Sequence, residues 1–444
     1  MITRRGMLGG AAAMAAAAWV GRASADETPP IVFVHGDSDQ ASIWQSVFWR
    51  FESNGYPRDR LFAISFTNPQ ARDDDNVAQA DRSSTEDELK ELAAFVDAAL
   101  AKTGAKKVAL VANSRGCNTV RNYLRHGGGA AKTECAVLCG GVNHGVFAGP
   151  YALGSEYNGH GPFITDLNSG PTETTPGVRF LTLRSDGFDL YAQPDGAYIG
   201  HPGTPTNVTF KGPALKGALN LTLGHVDHRE TAFSPRAFPE IYKFIVGRAP
   251  SRIAIVREAK VTLNGAATGV NGDTPTNKPV AGAKVEVYAV DPNTGARNGA
   301  ALLSKTTGAD GVWGPLETDS ATALEFVIEA PGQLVTHIYR SPFPRSFALL
   351  NLRPAIAKEG KGEAAAIVTM NRPRGYFGQP RDAILIDGKI PDGIPHGVPA
   401  VWRLPVKFAT LEERPIDCEF NQERIVAKMW PLKDKHISIA ELTY

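Results

Sequence analysis

Short apolar runs alternate with stretches of helical spacing through the first half of the chain. Ile31-Val32-Phe33-Val34, closed by His35-Gly36, has the β-branched character of a buried strand. Arg60 to Phe66 predicts a second strand, Val108 to Asn113 a third and Cys135 to Cys139 a fourth. Val178 to Arg184 and Leu219 to Leu223 predict the fifth and sixth. Between strands, Leu92, Phe95, Val96 and Leu100 recur at helical spacing. Thr85 with Glu88 predicts a capping box for that helix, and Gly104 its end. Cys117, Val120 and Leu124 mark another helix, stopped by Gly127-Gly128-Gly129, and Phe238, Ile241, Phe244 and Ile245 a last one. Fully apolar strands alternating with amphipathic helices predict an α/β fold, a mostly parallel sheet with helices on both faces.

Two stretches interrupt the rhythm, and both leave the carboxyl ends of strands, where open α/β sheets bind ligands. Residues 67–83 carry Asp73-Asp74-Asp75, read as a solvated loop with a calcium site as the alternative. Residues 142–177 are rich in Gly, Pro, Tyr and Asn, with scattered Val146, Phe147, Tyr151, Leu153, Phe163 and Leu167. They suit either a surface loop or the roof of a pocket. After Gly247-Arg248-Ala249-Pro250 the spacing changes to two: Lys284 to Val290 alternates, and turn signals follow at Asp291 to Gly295 and Gly308 to Gly311. Leu324 to Ile328, Leu349 to Leu352, Ala365 to Met370 and Ala383 to Ile386 continue as short strands. Residues 250–444 are therefore expected to be an all-β sandwich or barrel region, with a possible split into two subdomains near 356.

Charge is nearly balanced, 47 basic against 46 acidic residues, which leaves no footprint for nucleic acid. Residues 1–25 read as an export signal: Arg4-Arg5 near the start, an alanine-rich run to Val20, and the small residues Ala23-Ser24-Ala25. The paired arginines fit the twin-arginine type. The apolar run is too short and too alanine-rich for a stable membrane span. Four cysteines (Cys117, Cys135, Cys139 and Cys418) are too few for a disulfide framework and read as buried thiols. The catalytic-type unit is thus expected over 26–249.

Candidate chemistry centres on Ala112-Asn113-Ser114-Arg115-Gly116, where a buried strand ends in a serine and a helix follows at once. This is the pattern of a nucleophile elbow, G-x-S-x-G with Ala112 in the first glycine position. The sharp turn tolerates almost no side chain two residues either side of the serine. A serine nucleophile needs a base, and the base an orienting carboxylate. After the fifth strand Asp186 comes at once, Asp189 one turn later, and Asp195 in a Pro-Asp-Gly turn; Asp189 is favoured over Asp186. After the sixth strand His225 hugs the strand while His228 is centred in the loop, which favours His228. The oxyanion donors would be the N–H of Arg115 and, from the loop after the first strand, the N–H of Asp37. His144, His201 and the remaining histidines read as structural or solvated.

With these elements in order, the chain resembles the α/β-hydrolase superfamily and, within it, the compact secreted bacterial lipases and esterases. Val32 to Gly36, Ala112 to Gly116, Ser185 to Asp189 and Val226-Asp227-His228 carry the likeness, over about residues 30–246. The resemblance implies His228 as the base, because Ser234 follows it at the interval seen in those lipases. It implies a minimal sheet beginning at the oxyanion-loop strand, and no metal or organic cofactor. A β-region behind such a core is similar to an archaeal-type lipase architecture, where the C-terminal domain helps shape the acyl site. Pro279 to Val290 with Asp310-Gly311 resembles a transthyretin-like sandwich repeat. Two positions depart: Arg115 stands where a small or apolar residue is usual, and Asn113 where His is usual. An arginine beside the pocket argues against long-chain triglycerides and suits a substrate carboxylate or ester oxygen. The implied function is an exported carboxylic-ester hydrolase acting on small-molecule, lipid or polyester esters. A secreted binding or adhesive protein with an inactive core is the competing reading, and amide cleavage a third.

Overall fold

The computed structural model describes residues 28–444; the expected export signal over 1–25 lies outside the described residues. Six strands form one parallel sheet: β1 (Ile31–Val34), β2 (Leu61–Ala63), β3 (Val108–Asn113), β4 (Thr133–Cys139), β5 (Arg179–Ser185) and β6 (Leu219–Leu223). Their order is β6-β5-β4-β3-β1-β2. The chain runs outward from β1 to β2 and then crosses to β3 on the other side. A crevice therefore opens at the carboxyl ends of β1 and β3, the switch point of the sheet.

Successive side chains on each strand face opposite sides, so each strand serves two cores. Val32, Val34, Leu110 and Ala112 pack with helices α2 (Thr85–Thr103) and α3 (Arg115–His126). Ile31, Phe33, Ala109 and Val111 face α1 (Gln45–Ser53) and α4 (Phe238–Val246). The cap of α2 falls one residue earlier than the sequence pattern predicts. Ser84, extended at φ −81° and ψ 170°, accepts from the Asp87 N–H and forms the box with Asp87. Thr85 is instead bonded to Asp75, and Glu88 is drawn into the core by Arg115. Asp73 pairs with Arg82 at 2.8 Å, so this acidic cluster anchors the loop and the α2 start.

The second half is built on a seven-stranded sheet. Its strands are β7 (Lys284–Val290), β8 (Leu303–Thr306), β9 (Ala323–Glu329), β10 (Val335–Arg340), β11 (Ala366–Asn371), β13 (Arg403–Phe408) and β16 (His436–Glu441). The order is β8-β7-β9-β10-β16-β11-β13. The last strand, β16, pairs in parallel with both β10 and β11, so segments before and after residue 356 share one sheet. A smaller sheet of β12 (Ile384–Ile386), β14 (Pro415–Phe420) and β15 (Glu423–Lys428) covers one face, burying Val368, Met370, Cys418 and Ile425. Leu349–Leu352 forms no regular strand; Leu352 makes one isolated bridge to Ala267.

The other face of the large sheet joins the core of the first half. Phe326, Ile338 and Ile439 belong to the same apolar cluster as Phe33, Trp44 and Trp49. Helix α1 is buried nearly all round for this reason: Phe48 meets Phe347 edge-on at 5.8 Å, and Trp49 meets Phe343 at 6.2 Å. The Trp49 indole N–H donates to the Ser346 carbonyl. Sequence periodicity misses α1 because a helix apolar on every side has no amphipathic signature. Cys117, Cys135, Cys139 and Cys418 are all buried free thiols. Among the described residues no helix is long and apolar enough to cross a membrane.

Candidate active site

Ser114 links β3 to α3 with φ 55° and ψ −126°, a region that a residue with a side chain adopts only under constraint. Its N–H donates to the Cys139 carbonyl at the end of β4, and its own carbonyl accepts from the Cys117 N–H. Room for the turn comes from missing side chains. A Cβ on Gly116 would lie 2.5 Å from the His35 carbonyl oxygen, and one on Gly36 2.8 Å from the Ser114 Cβ. That added Cβ on Gly36 would also lie 3.4 Å from Ser114 Oγ, so the hydroxyl faces the loop after β1.

The loops after β5 and β6 bring an acid and a base together. His228 Nδ1–H donates to Asp189 Oδ2 at 2.9 Å. A carboxylate acceptor at Nδ1 leaves the lone pair on Nε2. Nε2 is buried and has no hydrogen-bond partner among the described residues. Asp189 is oriented by the Tyr191 N–H, which donates to Oδ1 at 2.8 Å, and the Tyr191 ring stands edge-on to the imidazole at 4.7 Å. Ser114 and His228 line one cavity of about 1070 Å³, and no hydrogen bond joins the two side chains. Such bonds tighten with substrate bound. The alternatives lie elsewhere: Asp186 accepts from the His225 N–H, and the exposed His225 ring tilts against Phe188. Asp195 caps the exposed turn at Ala197. Ser234 caps the step into α4 by accepting from the Ala237 N–H.

Around Ser114, the Arg115 N–H opens α3 and the Asp37 N–H follows β1; neither donates to another protein group among the described residues. The Asp37 carboxylate pins its loop, accepting from Ser38, Ala71 and the Tyr157 hydroxyl. His35 is neutral: burial pushes its pKa down to about 4, its Nδ1–H donates to the Gly36 carbonyl and Nε2 accepts from the Phe66 N–H.

The Arg115 side chain is a correction to the sequence reading. Instead of flanking the substrate, it is fully buried, 2.5 Å from both Glu88 and Glu156, with the Ser83 hydroxyl at 2.9 Å. A side chain at the first turn of a helix leans back toward its N-terminus, and here two glutamates wait there. Arg115 thus ties α2 and the 142–177 insertion to the elbow, and its bearing on acyl length disappears. That insertion roofs the cavity with Val146, Phe147 and Tyr151, the two rings stacked at 5.2 Å.

Residues 28–147 match the family model for class 2 lipases, and residues 259–356 that for the lipase C-terminal domain. The first half thus has the layout of an α/β-hydrolase core and is similar to class 2 lipases, and the second half is similar to a lipase C-terminal domain. Among solved structures, lipase B of Aspergillus fumigatus is 15% identical with a TM-score of 0.36, over 51% of this chain and 54% of that one. The propeptide form of lipase BlEst2 from Bacillus licheniformis is 20% identical with a TM-score of 0.37, over 60% and 58%. The monoacylglycerol lipase of Paleococcus ferrophilus is 12% identical with a TM-score of 0.33, over 50% and 96%. The match spans 54% and 58% of the length of the first two, little more than half.

The C-terminal half reaches the histidine loop directly, a feature the sequence pattern does not reveal. Asp227, fully buried next to His228, accepts from the Arg229 and Glu230 N–H groups through Oδ1. Its Oδ2 accepts from Arg372 at 3.0 Å, Arg381 at 3.2 Å and the Tyr376 N–H at 2.8 Å. Both arginines also bond Glu230. Removing one member of a buried ion network leaves a bare charge and costs about 3–5 kcal/mol. Arg372→Ala is therefore expected to lower both the melting temperature and turnover, by roughly tenfold or more in kcat, through a loosened His228 loop. Arg372→Lys keeps the charge but not the planar fork that spans Asp227, Glu230 and the Tyr376 carbonyl, and restores only part. Unchanged melting and kinetics in Arg372→Ala would contradict this role.

Proposed function

We propose that this protein hydrolyses carboxylic esters, with Ser114 as nucleophile, His228 as general base and Asp189 as its orienting carboxylate. His228 Nε2 takes the hydroxyl proton as Ser114 Oγ attacks the ester carbonyl carbon. The resulting oxyanion lies against the N–H groups of Arg115 and Asp37. The imidazolium then returns the proton to the leaving alcohol, and water releases the acyl group by the same route. The His228 imidazole carries the reading: one nitrogen is bound to Asp189, while the other is buried, has no partner among the described residues and belongs to a side chain lining the cavity that Ser114 lines. Export through the twin-arginine route belongs to the proposal, as do lipid, small-molecule or polyester substrates.

A fluorophosphonate probe tests it. Stoichiometric labelling, mapped to Ser114 and absent from Ser114→Ala, is expected. A native chain left unlabelled would favour the binding or adhesive reading. Matched nitrophenyl esters and anilides separate ester from amide cleavage.

A further inference from the structure

We propose that the Arg353 guanidinium, in the wall that the C-terminal half gives this cavity, is an anion-binding subsite, so that the preferred ester carries a carboxylate or phosphate apart from the bond cleaved. The proposal deepens the hydrolase reading above and rests on it for the identity of the cavity.

The cavity wall is dense in arginine, and nearly every one is neutralised. Arg229 pairs with Asp39, Arg340 with Glu441, Arg403 with Glu359 and Arg82 with Asp73, all within salt-bridge distance. Among the described residues Arg374 pairs with no carboxylate, but its guanidinium is filled by the backbone carbonyls of Ile43, Ser42, Leu442 and Thr443 and by Gln45 Oε1. That is what an arginine with a purely structural duty looks like. Arg353 differs from both kinds. Among the described residues it has no carboxylate within 4 Å; its Nε–H is buried with no acceptor, as is that of Arg340, but Arg340 has Glu441 to balance its charge. Its one short bond is to Asn277 Oδ1 at 2.6 Å; the contacts to the Thr276 and Ser38 carbonyls are 3.3 and 3.4 Å.

The position gives the cation a use. Ser38 directly follows Asp37, the proposed oxyanion donor, so Arg353 lines the cavity against the same loop that carries that donor. Burial lowers its pKa to about 10, still cationic near neutral pH; the Asp39 carboxylate offsets part of that burial, but Asp39 is itself ion-paired with Arg229, so no carboxylate is committed to Arg353. A planar fork of N–H donors suits carboxylate or phosphate oxygens. The substrate's own anion would complete the site.

The test compares esters of equal length. Mono-(4-nitrophenyl) adipate is set against 4-nitrophenyl hexanoate, and a hexanoyl ester of glycerol 3-phosphate against the hexanoyl ester of glycerol. The wild-type chain should favour the anionic member of at least one pair in kcat/KM, chiefly through KM, by roughly 10- to 100-fold. The adipate pair reports a carboxylate on the acyl side, the glycerol pair a phosphate on the alcohol side. Arg353→Gln should collapse that ratio toward one, and Arg353→Lys should keep part of it. No preference in wild type, or a ratio that survives Arg353→Gln, overturns the subsite. The second result would assign Arg353 to holding the Ser38 loop.

Binding is read independently by calorimetry of adipate and inorganic phosphate with Ser114→Ala. Heat lost in the Ser114→Ala, Arg353→Gln double variant supports the subsite; no binding of either anion opposes it. Absence of turnover and of fluorophosphonate labelling would instead bring down the hydrolase reading, leaving the calorimetry to decide the subsite alone.

Discussion

Ser114→Ala is expected to lower kcat for 4-nitrophenyl butyrate by about 10⁴- to 10⁶-fold while the chain melts as before. The stability half of this follows from the backbone. Ser114 stands at positive φ and donates no side-chain hydrogen bond that holds the fold, and alanine keeps the same Cβ beside Gly36. The activity half follows from its neighbours. His228 Nε2 has no hydrogen-bond partner among the described residues, so no other hydroxyl stands ready to replace Ser114. His228→Ala should lose about as much, and the double variant little more, because nucleophile and base act as one unit. Asp189→Asn is the sharper member of the set. An amide can donate to Nδ1, which moves the proton to Nε2 and removes the lone pair the serine needs; a loss of about 10⁴-fold is the expected scale. Steady-state kinetics with a melting curve for each variant decides. Activity retained in Ser114→Ala, or equal losses in His225→Ala and His228→Ala, would contradict the assignment.

The sheet is legible in the sequence because its strands are buried on both faces, so that Ile31 to Val34 and Val108 to Asn113 stand out as unbroken apolar runs. The elbow is legible too, since steric demand selects small residues at fixed offsets from Ser114. What escapes is whatever depends on a partner distant in the chain. Helix α1 has no amphipathic stripe because Phe343 and Phe347, some three hundred residues on, cover its second side. Arg115 looks like a pocket cation until Glu88 and Glu156 arrive around it. The cap of α2 moves from Thr85 to Ser84 through a contest between side chains that the local pattern alone leaves tied. The charged pair Asp227 and Arg229 around His228 is the one local sign that this loop has distant partners. Arg372, Arg374 and Arg381, clustered in a β-region, are the matching sign on the other side.

A chain ending at Ala249 is expected to give no soluble, cooperatively melting hydrolase. The C-terminal half completes the first half's core: Phe48, Trp49 and Phe33 lie in one apolar cluster with Phe326, Phe343 and Phe347. Full burial of a large apolar side chain is worth about 1.5–3 kcal/mol. Uncovering even a few of them therefore costs as much as the whole 5–15 kcal/mol stability typical of a domain. Polar losses follow. The carbonyls of Ser42 and Ile43 lose Arg374, and Asp227 loses Arg372, Arg381 and the Tyr376 N–H, leaving a buried carboxylate with backbone donors alone. Trp49→Ala in the full chain is the milder form of the same experiment, expected to destabilise by about 3–5 kcal/mol. Sedimentation and thermal melting of residues 28–249 check the larger effect; a soluble fragment with cooperative melting and esterase activity would refute it. The two halves are bound together by chemistry as well as packing. One boundary of the cavity is the elbow and the histidine loop, and the other is Arg353, Tyr376 and Trp402. Both halves thus wall the same cavity, so under the proposed ester hydrolysis the C-terminal half would shape and charge the site as well as support it.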